Sequence, residues 1–581
     1  MKILCSEGIA NHTGAYPCMR LFPIIVRPIA VLASRLPLFL SFIIGYAAPV
    51  VGQEGVAPKP TYTVRGSIIN KFSSQPVARA LVILQGQASE AILTDREGRF
   101  EFANVPAGTC TLMVSRPGFS GSTRHAFAPE RPRIQVGPSM TDVIIGLLPT
   151  GTITGQVTLS TSDSAENIQV HLLQKTIRDG HAFWQTVQIR STNGDGIYFF
   201  GDLEAGTYRV YTSGSIDPDP EPAHSRQRWG FPPEYLPNTG DSTDETAVLN
   251  LRPGQNQQAD IMLSHEPFYP VTVAISNRTV GGRANLEVYD SAGHQLSYPF
   301  HYDQHEQVMR SNLPRGTYHL ETQTFGSAQM FGGVEITVRN TPVTALLTLL
   351  PLNPLSVIIR RDFTHEDHGA TNDSSSFNGA PDSISAGVNL TLRRVIGGIS
   401  DFMGGSLRHP QDNPDNSAFI LENVRPGTYS VEIQAFHGYV ASITSGEVDL
   451  AQHPLVVGPG STSSPIEIVL RDDSANLGVS LNQPVPANSN SGPLAYLSLI
   501  PEFETAWQAP ENLPLTQEVM HIANLPPGTY RVLAFDEPRE PEYTNPAAMR
   551  AYAGKGQRVT LAPSGSAQIK LDVISTDSQS Q

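Results

Sequence analysis

Cysteine is almost absent from this 581-residue chain, and its three copies are placed where they cannot staple the fold. Cys5 and Cys18 lie within the first 52 residues, which leaves Cys110 alone in the remainder, so no intramolecular disulfide can brace a domain there. Each folded unit must therefore stand on its own apolar core. Tryptophan is equally scarce, at Trp184, Trp229 and Trp507 only. Charge is thin as well: Asp, Glu, Lys and Arg make up 16% of the chain against 39% hydrophobic residues, a balance that favours packed cores over a disordered polyelectrolyte. The charge present leans acidic, at a formal −15, and the first 52 residues carry Lys2, Arg20, Arg27 and Arg35 against Glu7, so the rest is more acidic still. Such a surface repels phosphate backbones and anionic headgroups, and neither nucleic acid nor a peripheral membrane is an expected partner. The chain also lacks a Gly-x-Ser-x-Gly elbow, a His-Glu-x-x-His pair and a Gly-x-x-x-x-Gly-Lys phosphate loop.

One apolar run is present, Leu36 to Ala48, preceded by Arg20, Arg27 and Arg35 and followed by small residues up to Gly52. Residues 1–52 read as an export signal, with an upstream extension if translation starts at Met19, and the protein is expected in the periplasm, at the cell surface or outside the cell. The run is short for a spanning helix, which needs about 20 apolar residues, but the wider stretch from Leu21 could anchor the chain uncleaved. No other transmembrane segment is expected.

Glycine and proline, 49 and 47 residues, are spread evenly and point to many short strands joined by turns. One pattern recurs five times: Val105-Pro-Ala-Gly108-Thr109-Cys110, Leu203-Glu-Ala-Gly206-Thr207-Tyr208, Leu313-Pro-Arg-Gly316-Thr317-Tyr318, Val424-Arg-Pro-Gly427-Thr428-Tyr429 and Leu525-Pro-Pro-Gly528-Thr529-Tyr530. The copies are about 100 residues apart, a domain-sized period rather than a solenoid repeat. Residues alternate apolar and polar on both sides, as in Arg99-Phe100-Glu101-Phe102 and Tyr208-Arg209-Val210-Tyr211, so each repeat is expected to hold a β-hairpin turning at the Gly-Thr. Similar opening strands (Thr63–Ile68, Thr152–Val157, Pro270–Ile275, Leu355–Ile359, Leu477–Leu481) and closing strands (Val143–Ile145, Ile466–Leu470, Gln568–Leu571) frame the units. The expected fold is all-β, a tandem array of about five transthyretin-like or immunoglobulin-like β-sandwiches spanning 60–148, 149–265, 266–352, 353–471 and 472–577. Two departures stand out: a polar loop from Asp362 to Ala386, and Asn545-Pro546-Ala547-Ala548-Met549, whose cap and proline predict a short helix before Gly554.

The first unit resembles the carboxypeptidase regulatory-like domain, carrying Val64-Arg-Gly66-Ser-Ile68, Thr94-Asp95-Arg-Glu-Gly98-Arg-Phe100-Glu-Phe102 and Val105-Pro-Ala-Gly108. The second keeps Gly155, Asn193 to Gly196 and Gly206-Thr207-Tyr208, and the last three retain the Gly-Thr-Tyr. The end of the chain, with Ala534-Phe535-Asp536-Glu537 and Gly556-Gln-Arg-Val559-Thr-Leu561, looks like secreted proteins of soil bacteria built from such repeats. The resemblance implies a seven-stranded transthyretin-like sandwich. It implies no reaction, since such modules accompany peptidases, glycan-active enzymes and receptors alike. No His here has a Glu three residues later, so the zinc ligands of a carboxypeptidase are missing. The chain reads as a non-enzyme without a cofactor or metal.

Weaker constellations favour ordinary structure. His365-Glu366-Asp367-His368 starts the polar loop, where metal ligands would be poorly preorganised. His301 and His305 fall in a strand region, where a spacing of four aligns nothing, and Asn193-Gly194-Asp195-Gly196 occupies a turn and lacks the later Glu of a calcium loop. Trp184 and Trp507 sit near strands and read as packing residues. The best binding candidate is the aromatic stretch from Arg226 to Tyr235, expected outside the strands, in which Arg228, Trp229, Phe231 and Tyr235 could meet a glycan: a ring covers the C–H face of a pyranose while charged groups take its hydroxyls. The alternatives are that this stretch folds back onto unit two, and that the whole array is structural or pairs its strand edges with an envelope protein.

Overall fold

The computed structural model describes residues 60–575 except 87–88, 121–132, 139, 161–163, 218–226, 237–247, 278–284, 325–328, 365–386, 397–398, 404–406, 410–417, 483–493 and 504–511. The expected export signal, His365 to His368 and Trp507 lie outside the described residues.

The fold is a tandem array of β-sandwiches. Among the described residues, buried apolar side chains gather into five large clusters in chain order, centred on residues such as Phe100 and Leu112, Tyr198 and Val210, Val273 and Leu320, Phe419 and Ile468, and Leu497 and Val532. A sixth, small cluster holds Phe535 and Tyr552 at the expected short helix, Pro546–Met549, where the Asn545 side chain accepts from the amides of Ala547 and Ala548. The cores form because strand alternation puts every second side chain inward; in Arg99–Pro106, Phe100 and Phe102 are buried while Arg99 and Glu101 face solvent.

Five times over, the opening strand of a sandwich lies between two partners. It runs antiparallel to the strand that precedes the Gly-Thr and parallel to a closing strand: Thr61–Asn70 with Arg99–Pro106 and Val143–Pro149, Gly151–Leu159 with Ile197–Leu203 and Ile261–Leu263, Glu266–Ser276 with Val308–Leu313 and Val343–Thr348, Leu355–Asp362 with Ala418–Leu421 and Ile466–Arg471, and Ala475–Leu481 with Val519–Leu525 and Ser566–Leu571. The strand that follows the Gly-Thr pairs instead in the facing sheet, Gly108–Ser115 with Leu81–Gln85, Gly206–Thr212 with Gln169–Arg178, and likewise in the other three.

The expected hairpin at each Gly-Thr is therefore corrected to an arch. The two flanking strands never pair with each other; they face across the core from opposite sheets. Backbone geometry explains this. A two-residue hairpin needs a tight primed turn, whereas Gly108 and Gly427 sit at φ 142° and 150°, a stretched conformation open only to glycine that carries the chain from one layer to the next. Four residues before the glycine, Asn104, Asp202, Asn423 and Asn524 adopt left-handed backbone, which short polar side chains tolerate. The strand register shifts at three of these sites.

The tyrosine of the repeat closes the arch. Tyr208, Tyr318, Tyr429 and Tyr530 are buried, and each hydroxyl donates to the carbonyl four residues back: Glu204 at 2.7 Å, Pro314 at 3.1 Å, Arg425 at 2.7 Å and Pro526 at 2.6 Å. This bond satisfies a carbonyl that the arch takes out of the ladder, the same device as the tyrosine corner of immunoglobulin-like sandwiches. In the first sandwich Cys110 stands in its place, buried over Gly86.

The array folds back on itself, and Lys59–Gln581 forms one compact unit. Strand His181–Ser191 of the second sandwich meets Ile399–Met403 of the fourth in a parallel bridge at Trp184 and Ile399, which merges two sheets. The fifth sandwich reaches the second through Thr544, whose amide and hydroxyl both donate to the Gly180 carbonyl, and through Lys175 to Glu542 at 3.2 Å. Lys71 of the first pairs with Glu537 of the fifth at 3.3 Å.

Candidate functional site

The stretch proposed from sequence to bind a ligand is partly strand, which corrects the expectation that it lies outside the strands. Arg228–Phe231 pairs with the third sandwich's opening strand, Arg228 facing Phe268 and Trp229 facing Pro267, and with Ser215–Ile216 on its other side. Tyr235–Leu236 then returns to the second sandwich, opposite Val210 and Tyr211. A segment of the second unit thus augments a sheet of the third. The reason is an open edge: among the described residues Glu266 to Phe268 has no other antiparallel partner, and unpaired backbone groups recruit a strand.

The four candidate residues are not brought into one surface. Phe231 is buried in the second core, and Tyr235 points into the joint between sandwiches, while Trp229 and Arg228 remain exposed. The Trp229 indole is 37% exposed and stacks on the His265 ring, at 5.1 Å and 21°. His265 Nε2 lies 2.9 Å from Asp217 Oδ2, and the Phe231 ring lies tilted against the imidazole at 5.3 Å. One indole face thus rests on a held imidazole, with a carboxylate and the Arg228 guanidinium nearby on the chain. His265 and Asp217 were missed in sequence because they lie 36 and 12 residues from Trp229 and carry no motif.

The joint of the second and third sandwiches is a polar aromatic wedge. His171, Tyr211 and Tyr235 come from one side and Asp290, His294 and Tyr298 from the other. The Tyr211 ring packs against His171 at 4.7 Å, His294 at 4.6 Å and Tyr235 at 5.5 Å. The Tyr235 hydroxyl donates to Asp290 and lies 3.2 Å from His294 Nδ1, which is itself 3.0 Å from Asp290 Oδ2. Burial works to raise the Asp290 carboxyl, but hydrogen bonds from His294 and Tyr235 outweigh it and hold the group below the usual range. Burial, helped by the neighbouring His294, pushes the His171 imidazole down to about 4.

The joint of the third and fourth sandwiches is built differently, around a buried ion pair. Arg394 Nη1 donates to Glu321 Oε2 at 2.6 Å and Nη2 donates to Oε1, while Nη2 also reaches the Pro426 carbonyl at 2.9 Å. His319 adds a contact to Glu321 at 2.7 Å, and Arg425 donates to Gln323 at 2.7 Å. Burial would raise the Glu321 carboxyl, yet hydrogen bonds from His319 and Arg394 and the charge of Arg394 bring it to about 2.

The remaining candidates take ordinary places. Asn193 Oδ1 accepts from the amides of Asp195 and Ile197, at 3.1 and 2.8 Å, as Asp95 accepts from Arg99 in the first sandwich, so Asn193 to Gly196 is a side-chain-capped turn. His301 lies on a short strand and His305 in the turn after it, where Asp303 accepts the His305 amide. Trp184 lies under the Arg209 guanidinium at 4.3 Å. Among the described residues, no group of three or more His, Cys, Asp or Glu could hold a metal ion, and no helix is long and apolar enough to cross a membrane.

No curated protein matches the chain. Among solved structures it is similar to the Bacillus anthracis TIE protein at 11% identity, over 50% of this chain and 50% of that one, with a TM-score of 0.17. It is similar to a Streptococcal ancillary pilin at 11% identity, over 50% and 99%, with a TM-score of 0.17. It is also similar to BcpA, the major pilin subunit of Bacillus cereus, at 10% identity, over 50% and 99%, with a TM-score of 0.15. At these scores the likenesses support no functional argument. Residues 63–138 match the sequence family described as the carboxypeptidase regulatory-like domain, so the chain carries that domain as the first of its tandem β-sandwiches.

Proposed function

We propose that this chain is an exported, non-catalytic binding array, divided near residues 148, 265, 352 and 471, which takes a glycan on the Trp229 surface. The observation that carries the reading is the exposed indole backed by His265 and Asp217, a rigid apolar face with polar groups at its border. A pyranose offers the matching chemistry, C–H bonds for the ring and hydroxyls for the rim. Phe231 packs against the His265 ring that backs the platform, and Tyr235, turned into the joint, contributes no contact surface of its own. Binding of the full chain to an immobilised glycan panel tests the reading: saturable binding that Trp229→Ala removes and Trp229→Phe partly keeps supports it, and binding that ignores Trp229→Ala overturns it.

A second reading has its own observation. Strand Ser89–Leu93 of the first sandwich is exposed along its whole length, including Ile92 and Leu93, and among the described residues pairs on one side only, with Leu81–Gln85. An envelope protein that adds a strand there would use backbone hydrogen bonds as its main contact. Ala91→Pro on this edge would abolish such a complex and leave glycan binding intact.

A further inference from the structure

The joint between the second and third sandwiches contains a histidine that no hydrogen bond explains. His171 is 6% exposed, its ring lies flat against Tyr211 at 25°, and its Nε2 has no hydrogen-bond partner among the described residues. A neutral imidazole can occupy such a place as a flat aromatic slab. An imidazolium cannot, because it needs two acceptors or water. Tyr211 of its own sandwich lies against the ring, and His294 of the third is close enough for its charge to act on it; Tyr235, Asp290 and Tyr298 complete the wedge around these two. The Asp290 carboxylate of the wedge is already engaged by the His294 ring, the Tyr235 hydroxyl and the amides of Ala292 and His294. A proton on His171 would therefore face a second imidazole, His294, whose charge works against it.

The joint is also spanned by the ladder between Arg228–Phe231 and Glu266–Phe268, by Gln227, whose Nε2 donates to the Phe268 carbonyl at 2.6 Å, and by a set of bonds around Ser297. Ser297 donates its amide to the Ser213 carbonyl at 3.1 Å and its hydroxyl to Gln169 at 2.8 Å, and Ser213 donates to the Ser297 hydroxyl at 2.9 Å. We propose that His171 makes this joint an acid-sensitive latch: neutral, it completes the aromatic wedge that holds the second and third sandwiches together, and protonated, it loosens them. The consequence reaches the Trp229 surface, because strand Arg228–Phe231 crosses between these same two sandwiches.

Hydrogen exchange of the full chain, corrected for the intrinsic effect of pH, tests this. Strands Gln169–Arg178, Tyr235–Leu236 and Glu287–Asp290 should lose protection by about tenfold to a hundredfold between pH 6.5 and about 4. Strands Gly316–Gln323 and Leu355–Asp362 should keep theirs over that range. His171→Phe keeps a ring on Tyr211 that cannot take a proton, and it should abolish the loss. If that variant fails to fold, a disulfide from Ser213→Cys with Ser297→Cys holds the joint with His171 intact and should suppress the same loss. Protection that falls equally in either variant, or that holds unchanged down to pH 4 in the unmodified chain, overturns the proposal.

Discussion

The joint between the second and third sandwiches and the joint between the third and fourth solve one problem in opposite ways. Each must bury polar groups where two domains meet. The first does so with neutral rings, His171, Tyr211, Tyr235 and Tyr298, around one hydrogen-bonded carboxylate, Asp290. The second sinks a full ion pair, Arg394 with Glu321, and satisfies it with His319 and the Pro426 carbonyl. A charge pair in low dielectric is costly to bury and still more costly to half-remove, whereas a neutral wedge costs less to bury but fails once a proton arrives. The two joints should therefore break under different insults.

The largest effect expected is from removing one partner of the ion pair. Arg394→Met leaves the Glu321 carboxylate buried and should destabilise the chain by about 3–5 kcal/mol, while Arg394→Met with Glu321→Met should recover most of the loss. Denaturant midpoints of the two variants check this, and equal losses in both would show that the pair acts by shape alone.

Acid separates the joints next. Glu321 is held near 2, below its unfolded value, so its contribution is present above about 4.5 and is lost as pH falls toward 2. Its scale is on the order of 3 kcal/mol. His171 is also held low, but as a base: between about 6.5 and 4 the unfolded chain binds the proton that the native joint refuses, so stability falls with pH across that higher window and levels off below it. Unfolding free energy measured from pH 7 to pH 2 should thus fall in two steps, and Glu321→Gln should shrink the lower one, to which Asp290 also contributes, and leave the upper one.

A smaller effect is expected where the sandwiches agree with one another. Tyr530→Phe keeps the packed ring and deletes the bond to the Pro526 carbonyl, at a cost of about 1 kcal/mol in thermal or chemical unfolding. The same change at Tyr208, Tyr318 or Tyr429 should match it; a tyrosine whose loss costs nothing would mark an arch held by other means. Least of all, Asn193→Ala should cost about 0.5–1 kcal/mol through its turn, and added calcium should leave the unfolding temperature unchanged.

How far the sequence could be read is clearest at the Gly-Thr-Tyr. Alternation on both sides identified strands, the 100-residue period identified repeated sandwiches, and both are features of the structure. The same residues misled about the connection, because strand and turn signals are local while pairing is not: Phe102 meets Val64, and Thr111 meets Gln85 in the other sheet. The candidate ligand stretch was legible as aromatic and unusual. Its strand pairing was not, since that depends on an open edge in the next sandwich. Neither joint left a local trace, because His171 and His294, or Glu321 and Arg394, stand far apart in the chain and belong to no common motif.

Sequence alone determined that this chain builds tandem β-sandwiches and which face of each strand enters their cores, because hydrophobic alternation acts over a few residues and must be written into every strand. Tertiary structure alone decided that the strands at each Gly-Thr part into opposite sheets, that the array doubles back, and that one joint rests on rings and the other on charge. Those outcomes depend on which distant surfaces desolvate one another, and that free energy does not exist until the sandwiches meet.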